Sequence, residues 1–338
     1  HVWTYRKDTT TLNYPTSAQY GLSLAAKGAD EASWHAAGSD PEPATVYAGE
    51  RYQYQVRTAI EDDSTATENV FYLPLESYEG SGWRGTLESV STSQMSQAGA
   101  APVVYYSTQG ELDFSSEAAR DLSDSSVWTQ TPPDDMADVA AVAIDCRKAA
   151  DGSGFELSGG ALVATLTMRA PTEGAGEIAA SGAEARQQVF LASRLSTAGG
   201  SVNDEVLHVE HTAVKLDTME FGFAKADSAG IVVDGAETEV DEGSLLEGAE
   251  FALYRALTDD AAGLVDPGNV DASKWELVGT ATSDPQVAFE GLAPGTYRLV
   301  ETGAPEGYAL PKGQWNVTLD PMLPQGRTIE AVPDGEVQ

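Results

Sequence analysis

The run "ERYQYQVRTAI" alternates from end to end. Tyr52, Tyr54, Val56 and Ile60 take one parity; Arg51, Gln53, Gln55 and Arg57 take the other. A period of two describes a half-buried strand and does not fit the 3.6-residue period of an amphipathic helix. Short alternating runs of this kind, stopped by Gly, Pro, Asp and Ser, recur along the chain, whereas helical periodicity is nearly absent. Only "SSEAARDLSD", Ser115–Asp124, reads as a short helix, opened by serine caps. The fold class this predicts is all-β, built from tandem β-sandwiches.

The first set of strands continues through "NVFYLPLE", "WRGTLESVS", "PVVYYST", "VAAVAIDC", "ALVATLTMRA", "QQVFLASRL" and "VLHVEHTAVKL". These predict one large Ig-like sandwich over residues 19–216, with residues 1–18 as a lead-in or the tail of a preceding domain. The second set reads "MEFGFAKAD", "GAEFALYRA", "WELVGTATS", "VAFEGL", "GTYRLVET", "QWNVTLD" and "RTIEAV". Seven short strands predict a compact sandwich over residues 217–338. No low-complexity linker lies between the sets, so the domains are expected to join tightly and in line. The abrupt start "HVWTYRKD" and end "IEAVPDGEVQ" are those expected of a piece cut from a longer protein.

Charge narrows the partners. The chain has 19 Lys+Arg against 53 Asp+Glu, a net charge of -34, which repels nucleic acid and anionic membranes. Its 41% hydrophobic residues, with 6 Trp and 13 Tyr, argue for packed cores rather than acidic disorder. No run of about 18 apolar residues predicts a membrane span. Cys146 is the one cysteine and sits in an apolar run, so no internal disulfide can form and a buried small side chain is expected. A secreted chain without disulfides relies on its cores or on another cross-link.

Two charges interrupt the apolar parity of the second set. Phe221, Phe223 and Lys225 share one parity; Tyr297, Leu299 and Glu301 share another. In strands, both charges then point at the core. A lone buried charge is expensive, so the two are expected to meet. One reading is a plain buried ion pair. The other is chemical. Burial favours a neutral lysine amine, which is a nucleophile, and a neutral carboxylic acid, which polarises a carbonyl and shuttles protons.

The ordered stretches "FGFAKAD", "LLEGAEFALYRA" and "FEGLAPGTYRLVETGAPEGYALP" resemble the Cna protein B-type domain, the SpaA-type pilin module of Gram-positive surface proteins, over residues 219–319. The resemblance implies a prealbumin-like sandwich. It also implies an internal isopeptide bond in which Lys225 attacks an Asn or Asp side chain on the last strand and Glu301 is the catalytic acid. Asn316 is the only asparagine after Glu301, but Trp315, Val317 and Leu319 take the inward parity around it. Asp334, in "PDGE", reads as part of a turn. The acceptor is therefore expected on a strand beyond residue 338, leaving Lys225 and Glu301 here as an unreacted buried pair.

The first domain, through "TVYAGERYQYQV" and "ENVFYLPLESYEGSGWRGTLESVS", resembles conserved repeat modules of Gram-positive surface proteins. It has Leu73 where those modules carry Asp, and no acid–asparagine set matches Lys27. No cross-link is expected in it.

The resemblance implies a structural stalk, pilin-like or adhesin segment, secreted and anchored to the cell wall. Its partners would be neighbouring domains of the same surface protein and, for an adhesin, a host matrix protein or glycan. Isopeptide formation is a single self-processing event, so no enzyme is expected. One alternative is a binding module in the first domain, anchored by exposed rings of Trp83, Tyr105, Tyr106 and Trp128; at least half of these are expected in the core instead. Another is an ancillary β-domain of a secreted hydrolase, whose catalytic domain this chain does not supply. No cofactor is expected. His208 and His211 fall on opposite strand faces, and the acidic loops lack calcium-loop spacing, which leaves at most a surface calcium ion.

Overall fold

The computed structural model describes residues 4–7, 20–38, 42–76, 82–196, 200, 202–234, 237–258, 261, 263–311 and 313–332. The chain divides into two compact units, His1–Asp217 and Thr218–Gln338. Both are all-β.

The first unit is organised by one long strand. Its strands are β1 (Thr4–Lys7), β2 (Tyr20–Gly28), β3 (His35–Ala36), β4 (Ala44–Tyr47), β5 (Arg51–Pro74), β6 (Thr86–Ser91), β7 (Val103–Ser107), β8 (Ala141–Asp145), β9 (Leu157–Arg169), β10 (Glu184–Ser196) and β11 (Val202–Asp217). The runs read as two separate strands, "ERYQYQVRTAI" and "NVFYLPLE", are the two ends of β5. The first end pairs with β2 and β9, and the second with β10 and β8. A register shift between Ile60 and Thr65, and Glu68 in the left-handed region, mark where the strand changes partners. Tyr52, Tyr54, Val56, Thr58 and Ile60 are all buried, as their shared parity requires.

The one predicted helix is a single turn, α2 (Glu117–Arg120), capped by the Ser116 side chain accepting from the Ala119 amide. Two further short helices, α1 (Ser93–Gln97) and α3 (Ala175–Ser181), have no side-chain caps, which is why the caps did not reveal them. The excursion between β7 and β8 carries α2 and covers an aromatic core of Tyr72, Phe114, Trp128 and Phe190.

The second unit has all seven predicted strands and one added hairpin. They are β12 (Met219–Ala224), the hairpin β13 (Ile231–Asp234) and β14 (Glu237–Val240), β15 (Glu250–Ala256), β16 (Trp275–Thr282), β17 (Gln286–Leu292), β18 (Gly295–Gly303), β19 (Gln314–Leu319) and β20 (Arg327–Val332). A five-stranded sheet runs β16-β15-β18-β19-β20, and a two-stranded sheet pairs β12 with β17. Between them lies a core that includes Phe221, Phe251, Phe289, Tyr297, Leu299 and Val317.

The central strand β18 is covered on both faces. Its other parity, Arg298 and Val300, is buried too. Val300 joins Ala252, Tyr254, Val265 and Trp275 in a second small core formed by the long β15–β16 connection. Arg298 stacks on the Trp275 ring, with its guanidinium carbon 4.9 Å from the centroid, and donates to Asn316 and to the Gly263 carbonyl.

Candidate functional site

Lys225 follows the last residue of β12. Its amide donates to the Pro285 carbonyl at 3.2 Å, and its carbonyl accepts from the Leu246 amide at 2.9 Å, so its backbone is held by two different segments. Glu301 lies on β18 opposite Phe251 of β15, in the middle of the larger sheet. The inward parity of each strand brings the two charges together: Lys225 Nζ donates to Glu301 Oε2 at 2.7 Å.

The pair is asymmetric. The Glu301 side chain is 1% exposed and the Lys225 side chain 24%. Glu301 Oε1 is buried and has no hydrogen-bond partner among the described residues. Leaving such an oxygen unpaired costs about 1–3 kcal/mol. Phe223, two residues before Lys225, meets Phe251 edge-on at 4.9 Å, so aromatic rings line the approach and keep the local dielectric low. The arrangement holds an amino group in contact with a carboxyl group and leaves one buried carboxyl oxygen without a partner among the described residues.

β12 pairs only with β17 among the described strands. A groove of about 400 Å³ runs along this pair, lined by Phe221, Phe223, Val287 and Arg327. Ile329, across from Val317 on β20, is 48% exposed, so part of the inner face of β20 is uncovered.

Asn316 is not placed at this pair. Asn316 lies on the opposite face of β19, as its parity indicates, where its Oδ1 accepts from Arg298 Nε at 2.9 Å. Asp334 lies outside the described residues.

Of the four aromatic candidates in the first unit, two lie in the core, where at least half were expected. Trp83 is buried edge-on against Tyr52 and donates from its indole to the Ala183 carbonyl. Trp128 is buried beside Tyr72 and Phe114 and donates to the Ala119 carbonyl. Large rings at these positions fill the sandwich rather than face a ligand. Tyr105 and Tyr106 are half-buried; the Tyr105 hydroxyl accepts from Gln130, and Tyr106 pairs through its backbone with Thr129.

His208 stacks on Phe190 at 4.1 Å, with its Nε2 2.9 Å from Gln188 Oε1. No group of three His, Cys, Asp or Glu side chains suited to a metal occurs among the described residues. Cys146 is buried against the Met95 sulfur at 3.5 Å, and burial pushes its thiol up to about 12, which makes it a poor nucleophile.

A second buried glutamate escaped the sequence reading. Glu76 is 2% exposed, and its φ of 41° lies in the left-handed region that non-glycine residues avoid. Its Oε1 accepts from the hydroxyls of Tyr52 and Tyr54, its Oε2 accepts from the Gly85 amide, and its own amide donates to Gln187. Burial pushes its carboxyl above the ordinary range. Position 85 must be glycine, because a Cβ there would lie 2.1 Å from the Tyr52 hydroxyl oxygen. The sequence signal was faint: one acid directly after an apolar "YLPL" run.

The second unit is all-β. Residues 233–330 match the SpaA family, described as a prealbumin-like fold domain. Among curated proteins, none matches the chain in sequence.

Solved pilin structures align along most of the chain. BcpA, the major pilin subunit of Bacillus cereus, aligns at 12% identity over 89% of this chain, with a TM-score of 0.36. The full-length major pilin SpaD of Corynebacterium diphtheriae aligns at 16% identity over 92% of this chain, TM-score 0.33. The full-length major pilin RrgB of Streptococcus pneumoniae aligns at 12% over 94% of this chain and 70% of its own length, TM-score 0.35. The chain spans 66% of BcpA and 58% of SpaD. Among the described residues, no helix is long and apolar enough to cross a membrane.

Proposed function

We propose that this chain is a structural segment of a pilin-like stalk on the outer surface of a Gram-positive cell, stabilised by an autocatalytic isopeptide bond in its second unit. The observation that carries the reading is the Lys225–Glu301 contact at 2.7 Å, with Glu301 Oε1 buried and unpaired among the described residues. A plain ion pair would gain from filling that last acceptor position; a reaction site keeps it for a substrate. The SpaA match over residues 233–330 supports the same reading.

The chemistry balances without a cofactor. A proton passes from the lysine ammonium to Glu301, leaving a neutral amine and a neutral acid in contact. The amine nitrogen attacks the side-chain carbonyl carbon of an asparagine. Glu301 protonates the carbonyl oxygen and then relays protons from the new C–N centre to the departing nitrogen. One C–N bond forms, one breaks, and ammonia leaves; an aspartate acceptor would release water instead. The acceptor side chain arrives on an extended segment laid along the open side of β12, which ends one residue before Lys225.

Accurate intact mass tests the reading. The chain is measured by itself and, where the natural protein is longer, within it, each with a Glu301→Ala control. Loss of one ammonia, absent from the control, is the expected outcome in whichever form carries the acceptor. No loss in either form removes the cross-link and leaves an ordinary ion pair.

A further inference from the structure

Two loops leave the reactive pair, one after each strand, and a side-chain contact joins them. Asp227 lies two residues after Lys225. Tyr308 lies seven residues after Glu301, in a tight turn closed by its own amide donating to the Pro305 carbonyl at 3.0 Å. The Tyr308 hydroxyl donates to Asp227 Oδ2 at 2.8 Å, across 81 residues of sequence. The other oxygen, Oδ1, accepts from the Ala229 amide at 2.9 Å and caps the short turn Ser228–Gly230. The Asp227 amide also donates to the Ser244 carbonyl at 2.8 Å.

Asp227 is therefore fixed through its backbone, one oxygen holding its own loop and the other holding the loop that follows Glu301. The geometry points to Tyr308 and Asp227 as a positioning clasp that keeps the Lys225 amine in contact with Glu301.

This inference rests on the Lys225–Glu301 reading and extends it to two residues that touch neither reacting atom. Lys225 most needs such help. It sits just past the end of β12, and its side chain is a quarter exposed, so its amine has water as an alternative. Glu301 has no such freedom inside β18. A nucleophile displaced by about 1 Å loses much of the advantage of proximity. The clasp closes the loop pair at the end where strand pairing stops. Asp227 is held below the usual carboxylate range by the Ala229 amide and the Tyr308 hydroxyl, and Tyr308 is raised by the same contact, so both stay in their bonding forms through neutral pH.

The test reads the position of the Lys225 amine directly. Lysines of the chain are reductively methylated with limiting formaldehyde and borohydride, and the rate at each site is followed by peptide mass spectrometry. Lys148 and Lys274 serve as internal references. In wild type Lys225 should react more slowly than the references, because its ammonium is held on Glu301. Tyr308→Phe removes only the hydroxyl and should raise the Lys225 rate about 5- to 10-fold relative to Lys274 in the same unit. Asp227→Ala should do the same. Asp227→Asn should rescue, since its amide can donate to the tyrosine hydroxyl.

A loosening of the second unit would raise Lys225 and Lys274 together, so the Lys225-to-Lys274 ratio separates positioning from structure, while Lys148 in the first unit reports any wider change. Glu301→Gln supplies the reference for a released amine. A rate that moves in Glu301→Gln but stays within twofold of wild type in Tyr308→Phe overturns the clasp alone. A rate unmoved in both overturns the clasp and the paired-site reading together.

Discussion

Glu76 and Glu301 are both buried carboxylates, one in each unit, and they are solvated by the protein in opposite ways. Glu76 has three donors, from Tyr52, Tyr54 and Gly85, and no cation in hydrogen-bond contact among the described residues. Among the described residues, Glu301 has one cation, Lys225, and an oxygen without a hydrogen-bond partner. A fully satisfied carboxylate is a structural knot: every partner would lose if it moved. A half-satisfied one keeps capacity in reserve and carries a standing cost. The same residue type thus fastens one unit, and in our reading remains available for chemistry in the other.

That contrast predicts its own largest effect in the first unit. Glu76→Ala would strand two buried hydroxyls and a buried amide, and would open a cavity between β5 and the segment leading into β6. Each orphaned donor costs about 1–3 kcal/mol, partly relieved by relaxation. We expect a total near 4 kcal/mol, confined to the first unit. Hydrogen exchange in the intact chain checks this: amides of β5 should lose protection while those of β18 keep theirs. Equal loss in both units, or none in β5, would break the contrast.

A smaller effect follows from charge. Desolvation raises the Glu76 carboxyl in the folded state above its unfolded value near 4.5. The folded state therefore holds the proton more tightly. The corresponding stabilisation is fully present below about pH 4.5 and is lost as pH rises through the folded pKa. Nearby Arg84 and the Tyr52 and Tyr54 hydroxyls favour the ionised form and limit the shift without reversing it. Glu76→Gln should flatten this part of the pH profile of first-unit unfolding, at a loss of about 1–2 kcal/mol from an amide group facing donors. An unchanged pH profile would show that another group titrates.

Much of the architecture was legible because period two is a strong signal where one face is buried. β5, β12, β18 and β19 all placed Tyr52, Phe221, Tyr297 and Val317 inward as parity demands, and the same rule turned Asn316 away from Lys225. What stayed hidden was tertiary. No local pattern tells that "ERYQYQVRTAI" and "NVFYLPLE" are one strand, because the register shift near Ser64 depends on which strands flank it. Parity also could not foresee that Arg298 is buried: a connection from β15 to β16 folds over it, and a loop's path is not written in a strand's alternation. Glu76 was missed for a related reason. It follows the end of β5 with a left-handed backbone, so strand parity does not govern where it points.

The smallest effect gives the finest test of what Glu301 is for. In a chain whose Lys225 is unreacted, Glu301→Ala should change second-unit stability by about 1 kcal/mol or less. Three terms nearly cancel. The ion pair is lost, but the buried unpaired Oε1 goes with it, and Lys225, already a quarter exposed, can turn to water rather than remain a buried orphan. Where the cross-link has formed in wild type, the same substitution prevents it, and the loss should grow to about 2–4 kcal/mol, since the bond restricts the unfolded chain as a disulfide does. Denaturant unfolding of wild type and Glu301→Ala, each assigned by mass as cross-linked or free, separates these cases. A large loss in a chain proven free of the cross-link would mean that Glu301 fastens the second unit as Glu76 fastens the first, and the two carboxylates would then differ in partners but not in role.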